Sequence, residues 1–211
     1  MINCTISEEE QKVFEKNNYN PTYGELSRNG IQNIIDYATK IINTDNLSKY
    51  TFYDLGCGSA NTLKYADDIT NFKKLIGIEF SKIRYDIAQQ NLANKSNIQL
   101  INEDFLSPKI KYNKPKSIIY ISNLCFPDDI NLKLAKKLSK ELKNNSIVFS
   151  SKLLPITILH KIFDINLEQS WNSNSEGYMY VITKKSNNTK KRKPTLKRKP
   201  TLKRNKTSKT K

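Results

Sequence analysis

Apolar residues arrive along this chain in short, nearly unbroken runs separated by longer amphipathic stretches. Five runs predict strands, at Thr51–Leu55, Leu75–Glu79, Ile98–Ile101, Ser117–Ser122 and Ser146–Ser151. Each is rich in Ile, Val, Leu or aromatic residues and is bounded by polar or glycine positions. Helical periodicity falls at Arg28–Ile42, Ala60–Asp67, Lys82–Asn94, Asp129–Lys143 and Pro155–Phe163. A shorter amphipathic piece, Glu8–Lys16, predicts an N-terminal cap ahead of a loop at Asn17–Pro21. Strands alternating with helices make an α/β fold, a mostly parallel sheet with helices on both faces. The last two apolar runs, Leu167–Trp171 and Gly177–Thr183, flank Asn172-Ser-Asn-Ser-Glu176 and predict an antiparallel hairpin closing the edge of a seven-stranded sheet.

The periodicity stops between Lys184 and Asn188, which divides the chain into a cap and loop (1–27), a folded domain (28–183) and a tail (184–211). From Lys184 to Lys211 there are 14 lysines and arginines and no acid. The preceding residues therefore hold the other 22 of the 36 basic residues against all 20 acids, so the net charge of +16 belongs mainly to the tail. The tail repeats Lys191-Arg-Lys-Pro-Thr-Leu196 as Lys197-Arg-Lys-Pro-Thr-Leu202 and begins again at Lys203. With almost no apolar surface and strong self-repulsion, such a segment is expected to be disordered. Lys191, Arg192, Lys193, Lys197, Arg198, Lys199, Lys203 and Arg204 are its candidate contacts to nucleic acid, through counterion release and without sequence preference. A low-complexity extension grown by repeat expansion is the competing reading. Lys190-Lys-Arg-Lys193 also fits a crude nuclear-import pattern.

Several classes fall away. No apolar run is long enough to span a bilayer, and the start lacks a basic-then-apolar leader, so an intracellular protein with no membrane partner is expected. Cys4, Cys57 and Cys125 show no paired spacing and are expected as free thiols. With His160 as the single histidine, His-based triads and metal sites have little support; His160 itself is expected on a helix surface.

Candidate chemistry gathers after the first strand. Tyr53-Asp-Leu-Gly-Cys-Gly-Ser-Ala60 stands where a strand turns into a helix, and glycines at 56 and 58 let backbone bend tightly and approach a ligand. The third glycine of the dinucleotide pattern is absent, with Asn61 in that region, which disfavours a pyrophosphate. Asp54 suits a positively charged ligand portion. Glu79, ending the second strand, can accept both hydroxyls of a ribose. Asp104 and Phe105, after the third, suit the amine and ring of adenine. Each has a plain alternative: Glu79 as a helix cap, Phe105 as core. In order and spacing, the set resembles the Rossmann-like core of class I methyltransferases, which implies S-adenosyl-L-methionine as cofactor.

The fourth strand ends Ile119-Tyr-Ile-Ser-Asn-Leu-Cys-Phe-Pro127, without the Asn/Asp-Pro-Pro-aromatic or Pro-Cys motifs of other methyltransferases. The segment resembles the Asn-Asn-Phe-Ala-Phe motif of the Dot-one (disruptor of telomeric silencing) histone lysine methyltransferases. Asn123 matches its second Asn and Phe126 its last aromatic, while Ser122 replaces its first Asn. Tyr19-Asn-Pro-Thr-Tyr-Gly-Glu25 is similar to that family's cofactor-covering loop, with Leu26 in place of the usual Thr. Ile147-Val-Phe-Ser-Ser-Lys152 resembles its fifth strand. The likeness covers Tyr19 to Thr183; the family's larger N-terminal helical region has little counterpart here.

The resemblance implies a monomeric protein-lysine methyltransferase acting on histones in nucleosomes, in the nucleus or wherever the genome it serves resides. Tyr23, Glu25, Asp54, Gly56, Gly58, Asn61, Glu79, Asp104, Phe105 and Asn123 would hold the cofactor. Trp171 and Tyr178, at the family's spacing, would wall a lysine channel, with Asn123 orienting the amine. Ordinary cross-strand packing is the other reading of Trp171 and Tyr178. An RNA or small-molecule methyltransferase of the same fold is the alternative function.

Overall fold

In the computed structural model, residues 4–183 are described; the basic repeat and its eight candidate contacts lie outside them. Seven strands form one sheet: β1 (Thr51–Leu55), β2 (Lys74–Glu79), β3 (Ile98–Asn102), β4 (Ser117–Ile121), β5 (Ile147–Ser150), β6 (His160–Gln169) and β7 (Asn172–Ile182). Their order is β3-β2-β1-β4-β5-β7-β6. The first five are parallel, while β7 runs antiparallel to both β5 and β6. Chain order reverses between β1 and β4, the switch point beyond whose strand ends open α/β sheets bind ligands.

The period of two in the strands sorts their side chains onto two faces. On one face Phe52, Leu75, Ile118 and Phe149 pack under α2 (Arg28–Ile42), α3 (Asn61–Ile69) and α4 (Lys82–Asn91). On the other, Tyr53, Leu55, Ile119, Ile121 and Val148 meet Ile130, Leu134 and Leu138 of α5 (Asp128–Glu141). Helix starts are chemically marked. Ser7 accepts the Glu10 N–H to open α1 (Glu8–Lys16), Ser27 that of Gly30 to open α2, and Ser81 that of Arg84 to open α4.

Two expectations for the C-terminal region need correction. Pro155–Phe163 is not a helix. Leu154, Ile156 and Ile158 turn inward while Pro155, Thr157 and Leu159 are exposed, an alternation that belongs to extended chain. His160 accordingly begins β6. Asn172-Ser-Asn-Ser-Glu176 is not the hairpin loop either. The turn is tighter, between Gln169 and Asn172, and the polar residues prolong β7 where both of its faces are open.

Candidate active site

The turn from β1 into α3 enters left-handed backbone at three positions, two of them glycines, which adopt it freely, and one an alanine, which seldom does. Gly56, Gly58 and Ala60 have φ of +79°, +53° and +65°. The N–H groups of Gly56 and Cys57 donate to the Ile78 carbonyl at 2.8 and 3.1 Å, which holds the turn against the end of β2. A Cβ on Gly56 would project into open space, whereas one on Gly58 would overlap the Tyr23 ring lying over it. The first glycine thus leaves room for a ligand and the second for a roof.

Three carboxylates converge on this turn. Asp54, flanked across the sheet by Gly77 and Tyr120, is buried. Burial, then the charges of Glu25 and Glu79, push its carboxyl well above the usual carboxylate range. Glu79 accepts the Gly58 N–H at 2.8 Å and the Ser81 N–H at 2.9 Å, so one side chain ties the β1 turn to the start of α4. Burial raises its pKa too, opposed by those N–H groups and by Arg84. Glu25 accepts hydrogen bonds from Tyr23, from Ser59 (2.5 Å) and from Asn61 (2.8 Å). Tyr23, Glu25 and Asn61, which sequence pattern placed near the ligand, therefore form one network with Ser59 as its hub.

Beside the carboxylates lies a cleft of about 390 Å³, within the size range of small-ligand sites. Aromatic rings form much of its wall. Phe105 and Phe126 stack in parallel at 5.6 Å, and Phe80 meets Phe14 and Tyr19 edge-on, each at 5.2 Å. Gly56, Glu79 and Arg84 complete one side; Leu124 and Trp171, both substantially exposed, stand among the lining residues at the surface. Asp104 does not line the cleft. It accepts the Leu106 N–H at 2.7 Å and lies against the Tyr19 hydroxyl, which with burial holds that phenol protonated.

The expected acceptor residues divide. Trp171 lines the cleft from the β6–β7 turn, its ring against Gly24 so closely that a Cβ there would overlap it. Tyr178 does not line it; it pairs with Ser150 and Asp164 and packs on the α5 side of the sheet. Asn123 is fully buried. Its amide N–H groups donate to Asn131 Oδ1 (2.7 Å) and the Lys152 carbonyl (3.1 Å), and its Oδ1 accepts the Lys152 N–H (2.9 Å). It braces the loop carrying Leu124 and Phe126 rather than reaching into the cleft.

Sequence pattern missed Phe14, Tyr19, Phe80 and Arg84 as wall residues. Tyr19 stood inside a recognised motif, and only its place beside Tyr23 could have marked it. The other three carry no local signature, since they reach the cleft through packing between distant segments.

A family model described as "Histone methylation protein DOT1" matches residues 3–184. The chain is 27% identical over 146 residues to the "Histone-lysine N-methyltransferase, H3 lysine-79 specific" of Caenorhabditis elegans, an alignment covering 63% of this chain and 15% of that protein. The chain thus spans a small part of that relative's length. Among solved structures, the putative methyltransferase yhhF from Escherichia coli is similar at 12% identity and a TM-score of 0.54, over 71% of this chain and 84% of that one. A putative S-adenosyl-L-methionine-dependent methyltransferase from Methanococcus maripaludis is similar at 13% identity and a TM-score of 0.51, over 78% and 96%. At such identities these structures speak to the Rossmann-like fold.

Proposed function

The chain belongs to the DOT1 family of histone methylation proteins, and from that premise we propose that it transfers a methyl group from S-adenosyl-L-methionine to a lysine amine of a histone in nucleosomes. The observation that carries this reading is the pair of buried carboxyls Asp54 and Glu79, with the half-buried Glu25 beside them, at the switch point, next to an aromatic cleft and the open space above Gly56. Two carboxyls out of water, with the charge of Glu25 beside Asp54, call for a cation next to them, and the donor carries both a sulfonium and an ammonium.

When bound, S-adenosyl-L-methionine supplies an electrophilic methyl for in-line displacement, so the chain's task is chiefly positioning. Glu79 has lone pairs beyond its two backbone bonds for a ribose diol. The rings of Phe105, Phe80 and Tyr19 suit the flat adenine. Among the described residues lining the cleft, Glu79 and Arg84 are the charged ones, which leaves the side near Leu124, Phe126 and Trp171 without a dedicated base. An amine of pKa about 10.4 in water would lose its proton there as it passes between these apolar side chains, which disfavour the ammonium form, toward the positively charged donor. The tail binds the phosphate backbone of the same particle, and its import pattern fits a nuclear site of action.

Tritiated donor offered together with nucleosomes, free histones and total RNA, with the product located by mass spectrometry, tests the reading. Label on a histone lysine is expected. If S-adenosylhomocysteine binds but no histone is labelled, the acceptor assignment is wrong, and label on RNA would install the alternative.

A further inference from the structure

Residues 4–23 lie across the cleft and contribute Phe14, Tyr19, Asn20, Thr22 and Tyr23 to its wall. The polar anchors of this roof converge on the first turn of α4. Arg84 is buried, at 7% exposure, and few arginines are buried without a specific task. Its Nε donates to the Cys4 carbonyl at 3.0 Å and its Nη2 to the Pro21 carbonyl at 2.5 Å. Its guanidinium also sits over the Tyr23 ring, 5.1 Å from the centroid. Tyr23 in turn covers Gly58 and bonds Glu25 and Ser59. One planar cation therefore fastens three points of the roof, at residues 4, 21 and 23, to the helix that follows Glu79. Glu10 of α1 makes a second attachment to the same turn, accepting the Ile83 N–H at 3.0 Å and the Ser81 hydroxyl at 2.6 Å.

We propose that Arg84 is the positioning residue that latches this roof, so that release of Cys4, Pro21 and Tyr23 from its guanidinium sets the rate at which the adenosyl ligand enters and leaves. The proposal rests on the cofactor reading above. It depends on shape rather than charge alone: a planar fork donates to two separate carbonyls while stacking, and a lysine ammonium on a flexible stem cannot do all three. Glu79 feels the positive charge as well, so the two roles must be separated experimentally.

Arg84→Lys keeps the charge and loses the fork; Arg84→Gln loses both. Trp171 is the chain's single tryptophan and lines the cleft, so its fluorescence reports S-adenosylhomocysteine release in stopped flow. Both variants are expected to release the ligand about tenfold faster, equivalent to about 1.4 kcal/mol. Donor KM should rise while kcat at saturating donor is retained. Amides of residues 4–23 should exchange faster in both, without ligand, while those of β1, β2 and β4 stay as protected as in the wild type. Glu10→Gln, which frays the second attachment, should shift the same readouts in the same direction by less. Wild-type release and roof protection in Arg84→Lys would overturn the latch, because charge alone would then suffice. Should the wild-type chain bind no adenosyl ligand, the cofactor reading fails, and roof exchange in the variants still decides the latch.

Discussion

Asp54 sits in the middle of a parallel sheet with Glu25 and Glu79 as charged neighbours. A carboxyl whose folded-state pKa lies above its unfolded value binds its proton more tightly when folded. Its contribution to stability is complete below the unfolded pKa and disappears as pH rises through the folded one. Both Asp54 and Glu79 are shifted that way. The ligand-free chain should therefore lose thermal stability from the ordinary carboxylate range upward, and Asp54→Asn should melt higher than wild type at about pH 8 with a flatter profile above about pH 5. Melting curves across that range check this; an unchanged slope would mean the burial cost lies elsewhere. Asn123 teaches a different lesson at the same scale. Its place at the end of β4 was legible as near the site, but no pattern says which way an amide turns. With three hydrogen bonds inward, Asn123→Ala should destabilise the fold by about 1–3 kcal/mol. It should also lower kcat through the Leu124–Phe126 loop, with S-adenosylhomocysteine affinity kept within about twofold in a titration.

The strands and helices up to β5 were readable because each segment has one consistent environment. The inner parallel strands are buried on both faces and show as apolar runs, the edge strand β3 is only half-buried, and helices bury one stripe and show as a period of 3.6. Beyond Leu154 the environment changes along a single element, and the signal fails. Ile156 and Ile158 face the core while their neighbours face water, in a run too short for period two to stand out from a helical stripe. The β6–β7 turn was hidden for a related reason: it is stabilised by a partner distant in sequence. The Ser170 N–H donates to the Glu25 carbonyl at 2.8 Å, Leu26 bridges Gln169, and the Ser27 N–H donates to the Glu168 carbonyl at 3.1 Å. The loop with Tyr23 and Glu25 is thereby stitched to the turn carrying Trp171, and the ring rests on Gly24. Gly24→Ala should push that ring outward. The emission maximum of the sole tryptophan should move to the red, and turnover should fall by about tenfold; an unmoved maximum would show that the turn yields without losing the ring.

At the scale of the molecule, charge and catalysis are separated along the chain. The residues before Lys184 are nearly balanced in charge, and the 14 cations after Thr183 stand apart from the cleft in sequence. The glycine turn after β1 was legible as a turn because Asp54, Gly56, Gly58 and Glu79 follow one another at fixed spacing. Phe80, Arg84 and Phe14 became wall residues only through long-range packing. The basic repeat was the plainest feature of all, yet the role proposed for it rests on polyelectrolyte physics rather than on fold. Each phosphate neutralised releases condensed counterions, so log affinity falls with log salt by about 0.9 per contact on duplex DNA. Ending the chain at Thr183 should weaken binding to nucleosomes and to naked DNA alike, since such contacts carry no sequence information. It should flatten the salt slope by several units and leave turnover on free histone close to wild type. Binding isotherms at three or four salt concentrations give the slope directly. If truncation lowers affinity without changing the slope, the repeat acts through something other than phosphate neutralisation. If it changes neither, the surface that holds the nucleosome belongs to the folded domain, and the apolar rim of Leu124 and Trp171 is where that contact would have to be sought.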